Sequence, residues 1–330
     1  MLKERLEKDL KALEMVKIIL VDYAISLLEQ ENVMTLLKTT QTLDDILEKC
    51  GLKNKQMLEN ILDLLVGQDI LGYNKGYYLK PYKKINTVEA TNFLNKNYKE
   101  SLEWVNFVNQ YSKNTLITGN PSDLTGFEEK QAVYYWNKIM EQSPYSLRVL
   151  AILELYKDLK PNVLILDYGC GGGVSLEQLI ELSHIPIQFI GADPSTKFFE
   201  EARSRIKKLK FKEAVKIKNQ KNVKFESIDS LNNYSGAFDG IFVSIIFNHI
   251  KQEDYIDTFK KLSNLLKSGG KLVIVQLMDF GKYDRNPIWI MHNIPSHKGY
   301  PMKDRFIHDL NSVFPKVEEQ LNGIITISTK

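Results

Sequence analysis

The chain reads as an α/β protein in which a mostly helical region precedes a domain built on a parallel sheet. Three observations predict this. From about Pro161 onward, short apolar runs alternate with helical stretches, the order in which crossover helices join parallel strands. The first of those runs, Val163 to Asp167, opens straight into a loop with glycine at 169, 171, 172 and 173. Before it, residues 1–150 carry helical periodicity and one short hairpin signal. The length of 330 residues suits about two domains at roughly 150 residues each.

Composition bounds the function. With 43% hydrophobic and 26% charged residues, wholesale disorder is excluded. A net charge of +3 excludes a chain drawn onto nucleic acid by bulk charge. Two cysteines, Cys50 and Cys170, can build neither a disulfide framework nor a cysteine zinc site. No apolar run approaches the roughly 18 residues that span a bilayer, and the first turns mix Lys3, Glu4, Arg5 and Glu7. The expectation is a cytoplasmic protein without a membrane span and without a metal.

In the first region, residues 2 to about 30 form one or two helices. Thr42 caps a short helix with Asp45 three positions on, and Gly51 ends it. Asn54 caps the next, where Leu58, Ile61, Leu62 and Leu65 share a face. Tyr73 to Leu79 then reads as two strands about an Asn-Lys-Gly turn. Helix, helix, hairpin is the order of a winged helix. Its second helix is expected to show Lys55, Gln56, Glu59, Asn60 and Asp63 to solvent, a poor phosphate reader. Residues 1–150 balance 19 basic against 20 acidic side chains, which favours association over nucleic-acid binding. Residues 86–150 follow as an aromatic-rich helical segment.

In the second region, strands are expected at Val163–Asp167, Ile187–Ala192, Val223–Ile228, Phe238–Ser244 and Lys271–Gln276, with late strands at Val317–Gln320 and Ile324–Ser328, seven in all. The glycine loop lacks the third glycine of the dinucleotide fingerprint and places Asp167 just before it. A carboxylate there repels phosphate and favours a cationic amino-acid ligand. Asp193 ends the second strand, where a carboxylate can accept both hydroxyls of a ribose. Asp229 and Ser230 end the third strand, and Ser244 ends the fourth.

These residues carry a resemblance. Asp167 with its glycine loop, Asp193 26 residues on, Asp229, and the turn Leu266-Lys267-Ser268-Gly269-Gly270 match, in order, the class I S-adenosylmethionine-dependent methyltransferases. The whole chain resembles the small-molecule O-methyltransferase family, whose N-terminal winged helix dimerises. Tyr135 to Met140 resembles that family's helix before the catalytic domain, and Met291-His292-Asn293 with Lys298-Gly299-Tyr300-Pro301 resembles its substrate-lining segment. The resemblance implies a Rossmann-like seven-stranded methyltransferase domain at 151–330, a winged-helix dimerisation domain at 1–85, and a helical linker at 86–150 contributing to the substrate pocket. It implies S-adenosyl-L-methionine held by Asp167, Gly169, Gly171, Gly173, Asp193, Asp229, Ser230 and Ser244. It further implies a small-molecule acceptor near Trp136, Met140, Met291 and His292, and a homodimer.

For catalysis, a neutral hydroxyl acceptor calls for a base, and histidine titrates in the right range. His249 follows the fourth strand. Measured back from Gly269-Gly270, the family's base falls nearer Asn248, and Gln276 stands where an acid orients that base. O-methylation is the leading expectation, with nitrogen or carbon acceptors open. Two other readings stand beside it. One is an RNA or DNA methyltransferase using the run from Arg203 to Lys224, which holds ten basic residues against Glu213. The other is a cofactor-binding regulator without turnover.

Overall fold

The computed structural model describes residues 2–142 and 145–330. They form two compact units. One joins Met1–Ser143 with Asp279–Tyr300; the other joins Pro144–Met278 with Pro301–Lys330. The strands are β1 (Leu71–Tyr73), β2 (Tyr77–Leu79), β3 (Val163–Tyr168), β4 (Ile187–Asp193), β5 (Val223–Ser227), β6 (Phe238–Ser244), β7 (Leu266–Val275), β8 (Lys316–Gln320) and β9 (Ile325–Thr329).

In the helical unit the local signals act as expected. Thr42 and Asp45 exchange both capping-box bonds, and Gly51 ends that helix at a φ of 66°. The Asn54 side chain accepts from the Met57 N–H at 3.0 Å and starts helix Lys55–Gly67. β1 and β2 pair antiparallel, Tyr73 against Tyr77.

Two expectations change here. The segment Asp279–Tyr300 belongs with the helical unit rather than with the domain expected at 151–330, and helix Tyr145–Tyr156 belongs with the sheet unit rather than with the helical linker expected at 86–150. The reason lies in burial. Trp289, Ile290 and Met291 are at most 2% exposed within the helical core, and the Trp289 indole N–H donates to the Leu20 carbonyl at 3.0 Å.

The same segment corrects the solvent face of helix Lys55–Gly67. Asp63 is fully buried and Asn60 nearly so. Asp63 accepts from the Tyr77 hydroxyl at 2.9 Å and meets Arg285 at 3.4 Å. Arg285 also reaches Asp279 at 3.3 Å. Burial pushes both carboxyls upward while Arg285 pulls them down. Replacing Arg285 with methionine leaves two buried carboxyls without that charge. The expected cost is about 3 kcal/mol near neutral pH, shrinking at an acidic pH low enough for the carboxyls to take up protons. Denaturant unfolding at neutral and acidic pH checks this; an unchanged midpoint at neutral pH would refute it.

In the sheet unit the strands run in the order β5-β4-β3-β6-β7-β9-β8. β5, β4, β3, β6 and β7 are parallel, and β9 is antiparallel to both its neighbours. Chain order reverses beside β3, with β4 on one side and β6 on the other. Open α/β sheets bind ligands at such a switch point, outside the carboxyl ends of the strands. Just after β6 the core of this unit is rich in aromatic rings. Phe247 packs on Phe306 at 4.9 Å, on Phe259 at 5.1 Å and on Tyr255 at 5.4 Å between ring centres. That cluster holds the turn after β6 in place.

Candidate functional site

The carboxyl ends of β3, β4 and β6 meet at one edge. Tyr168 pairs with Ala192 on one side and Val243 on the other, so the glycine loop starts between Asp193 and Ser244. The loop is tied to β4 by its backbone: the N–H groups of Gly169 and Cys170 both donate to the Ala192 carbonyl, at 2.7 and 3.0 Å. Gly169, Gly171 and Gly173 all take positive φ, at 76°, 47° and 79°. Their reasons differ. A Cβ on Gly169 would lie 2.5 Å from the Ile246 side chain, and one on Gly173 would press on Ala202 at 3.0 Å. A Cβ on Gly171 would meet nothing within 4 Å. Gly171 therefore borders open space, and a side chain there would fill it.

Asp193 turns toward that space. One carboxylate oxygen accepts from the Gly171 N–H at 2.9 Å and the other from the Ser195 N–H at 2.9 Å. Burial raises its pKa, and those two bonds oppose the rise. A carboxylate offers about four acceptor positions, so two remain for a pair of hydroxyls.

Asp167 is fully buried beneath the loop. Its Oδ2 accepts from the Ser175 hydroxyl at 2.8 Å, while its Oδ1 has no hydrogen-bond partner. Burial is the largest cause that lifts this carboxyl to about 7, against help from Ser175 and Arg148. The folded value lies above the ordinary one, so the ligand-free protein binds more protons than its unfolded chain between roughly pH 4 and 7. This contribution to stability is present at low pH and lost as pH rises through 7. A cationic ligand favours the ionised form, so its affinity is expected to rise about tenfold from pH 5.5 to 7 and then level off. Calorimetric titration with S-adenosylmethionine across that range, repeated on Asp167→Asn, checks the slope; a flat profile for the unaltered protein would contradict it.

Ser244 places its hydroxyl at the end of β6, buried and without a hydrogen-bond partner. Asp229 is exposed at the start of a short turn after β5. Burial and then Asp229 raise the neighbouring Tyr168 hydroxyl to about 12. The Ser230 hydroxyl is engaged within its own loop, donating to the Ser227 carbonyl at 2.8 Å and meeting Glu226 at 3.0 Å.

Two contributors gave no signal in the sequence. Arg205, inside the basic run, donates to the Gly172 carbonyl at 2.9 Å and pairs with Glu177 at 3.0 Å, bracing the glycine loop. Ile245 has a φ of 55°, a strained value for a β-branched residue, and turns the chain sharply after β6. An isoleucine in an apolar run reads only as strand.

His249 ends that turn, half-buried, with Nε2 3.0 Å from the Asn248 amide nitrogen. Asn248 and Gln276 are fully buried. The four residues expected at the acceptor site all lie in the helical unit. Met291 and His292 are buried there, at 2% and 9% exposure. His292 Nε2 lies 2.7 Å from the Asn60 amide, and burial pulls its pKa to about 4, leaving it neutral. Trp136 and Met140 are half-buried, Trp136 with its ring 5.2 Å from that of Phe127. Among the described residues no cluster of three or more His, Cys, Asp or Glu could hold a metal, and no helix is long and apolar enough to cross a membrane.

Residues 165–270 match the methyltransferase domain family. Over these residues the chain carries a methyltransferase domain, with S-adenosylmethionine as its cofactor. The cradle fits that cofactor: unpartnered oxygens on Asp167 and Ser244, a carboxylate with acceptor positions to spare at Asp193, and open space at Gly171. Over 121 residues the chain is 32% identical to a ubiquinone biosynthesis O-methyltransferase of Pelagibacter ubique, covering 37% of this chain and 44% of that protein. The chain thus spans under half the length of the curated relative it matches. In fold, the chain is similar to the CurJ carbon methyltransferase, with a TM-score of 0.69, 13% identity, and coverage of 96% and 91% of the two chains. An O-methyltransferase family 2 protein from Planctomyces limnophilus, in complex with apigenin, matches at a TM-score of 0.55 and 10% identity, covering 98% and 94%.

Proposed function

We propose that the protein transfers a methyl group from S-adenosylmethionine to a small-molecule acceptor. The observation that supports this most is the cradle at the switch point, where Asp167, Asp193 and Ser244 keep acceptor capacity and Gly171, bound by Asp193, borders open space. When bound, the cofactor supplies an electrophilic methyl carbon; the acceptor's lone pair forms the new bond while the carbon–sulfur bond breaks, its electrons staying on sulfur. The protein's share is positioning and exclusion of water, which can lower the barrier by several kcal/mol. In this reading Asp193 holds the ribose, Asp229 meets the adenine edge, and Asp167 faces the positive charge. Trp136 and Met140 contribute to acceptor binding, and the region 1–85 forms a homodimer. Oxygen is the first acceptor atom to test, because the curated relative is named for O-methylation; carbon is the competitor.

The nucleic-acid alternative loses two of its arginines. Arg205 braces the glycine loop, and Arg203 sits over the Phe225 and Phe199 rings at 5.4 and 5.9 Å. Heparin retention that vanishes at low salt is the expected result.

The experiment is release of S-adenosylhomocysteine by the full chain with a panel of phenols, catechols, amines and 1,3-dicarbonyl compounds. Turnover with at least one class supports the proposal. Tight cofactor binding without turnover on any of them would favour the regulator instead.

A further inference from the structure

We infer that Gln276 sets the proton position on His249 through Asn248, so that His249 carries its proton on Nδ1 and is not a base through Nε2. Its chemical consequence rests on the methyl-transfer reading; the proton position does not.

The orientation of each amide follows from its fixed neighbours. The Gln276 carbonyl oxygen accepts from the backbone N–H of Phe247 at 3.0 Å. A backbone N–H can only donate, so this atom must be the oxygen. The Gln276 nitrogen therefore faces the other way, donating to the Leu277 carbonyl at 2.9 Å and to Asn248 Oδ1 at 3.4 Å. With its oxygen committed to Gln276, Asn248 must turn its nitrogen to His249 Nε2, at 3.0 Å. An amide nitrogen is a donor only, so Nε2 must accept, and the neutral ring keeps its proton on Nδ1.

Asn248 and Gln276 are fully buried, and the Phe247 carbonyl is bound by the Tyr255 hydroxyl at 2.9 Å. Reversing the chain would set donor against donor at Phe247, at a cost of about 1–3 kcal/mol for the buried unpaired N–H.

An acid at position 276 would do the opposite. A carboxylate would draw the Asn248 nitrogen toward itself and leave Oδ1 facing Nε2, which would then hold the proton. Gln276 is thus a positioning residue. It points to an acceptor that needs no proton removed by His249: a phenolate, an enolate carbon, or an amine with a free lone pair. The acceptor's proton has left to solvent beforehand, and the lone pair it leaves forms the bond to methyl.

The test is nitrogen-15 NMR of the histidine rings in the full chain without cofactor. The five histidines are assigned by the signal lost in His249→Gln. The expected spectrum shows His249 Nε2 unprotonated and Nδ1 protonated. In Gln276→Glu, and independently in Asn248→Asp, Nε2 is expected to move to the protonated range and the pKa of the ring to rise. A protonated Nε2 in the unaltered protein overturns the inference even if neither variant folds. So does a ring whose signals stay fixed in both folded variants, as a merely structural role requires. Either failure leaves cofactor binding and S-adenosylhomocysteine release untouched, so the two proposals fall separately.

Discussion

Replacing Asp193 with alanine is expected to weaken S-adenosylmethionine binding about a hundredfold while leaving the sheet folded. Two losses add. The Gly171 and Ser195 N–H groups lose the carboxylate that accepts from both at 2.9 Å, and a buried unpaired donor costs about 1–3 kcal/mol. The ligand also loses a charged acceptor for its hydroxyls, and hydrogen bonds to charged groups are worth about 1.5–3 kcal/mol. Part of the first loss falls on the free protein, which can let the loop relax toward water. The remainder corresponds to about 3 kcal/mol in binding, or roughly two decades in Kd. Isothermal titration with S-adenosylmethionine measures it, with circular dichroism as the check on folding. Affinity within threefold of the unaltered protein would remove Asp193 from the site.

The second large effect separates two glycines of one loop. Gly169→Ala is expected to destabilise the protein by about 2–4 kcal/mol, because positive φ costs an alanine about 1–2 kcal/mol and its Cβ would lie 2.5 Å from Ile246. Gly171→Ala carries only the backbone cost, since its Cβ meets no protein atom within 4 Å. Its penalty falls on the ligand, whose space the methyl enters, and a loss of affinity of tenfold or more is expected. Thermal unfolding and cofactor titration on both variants give the contrast. A Gly171→Ala protein that binds normally would show that the ligand does not occupy that space.

Much of this site was legible because it is local. Asp167, the glycines and Asp193 are spaced along one strand-loop-helix-strand unit, where chain order fixes neighbours. The capping box at Thr42 and Asp45 and the hairpin turn were legible for the same reason. Asn60 and Asp63 were not. Helical periodicity put them on the face away from Leu58 and Leu62, and only the return of Asp279–Tyr300 covers that face and gives Asp63 its arginine. Arg205 belonged to a basic run that suggested a nucleic-acid contact, until the fold set it against the Gly172 carbonyl.

The sequence alone determined the alternation that makes the parallel sheet, the placement of acids at strand ends, and the flexible turn between them, because period, cap and turn act over a few residues. Tertiary structure decided which distant segment each face would bury and which way each side-chain amide would point. Burial and hydrogen-bond direction depend on partners hundreds of residues away, as Asn60 depends on His292.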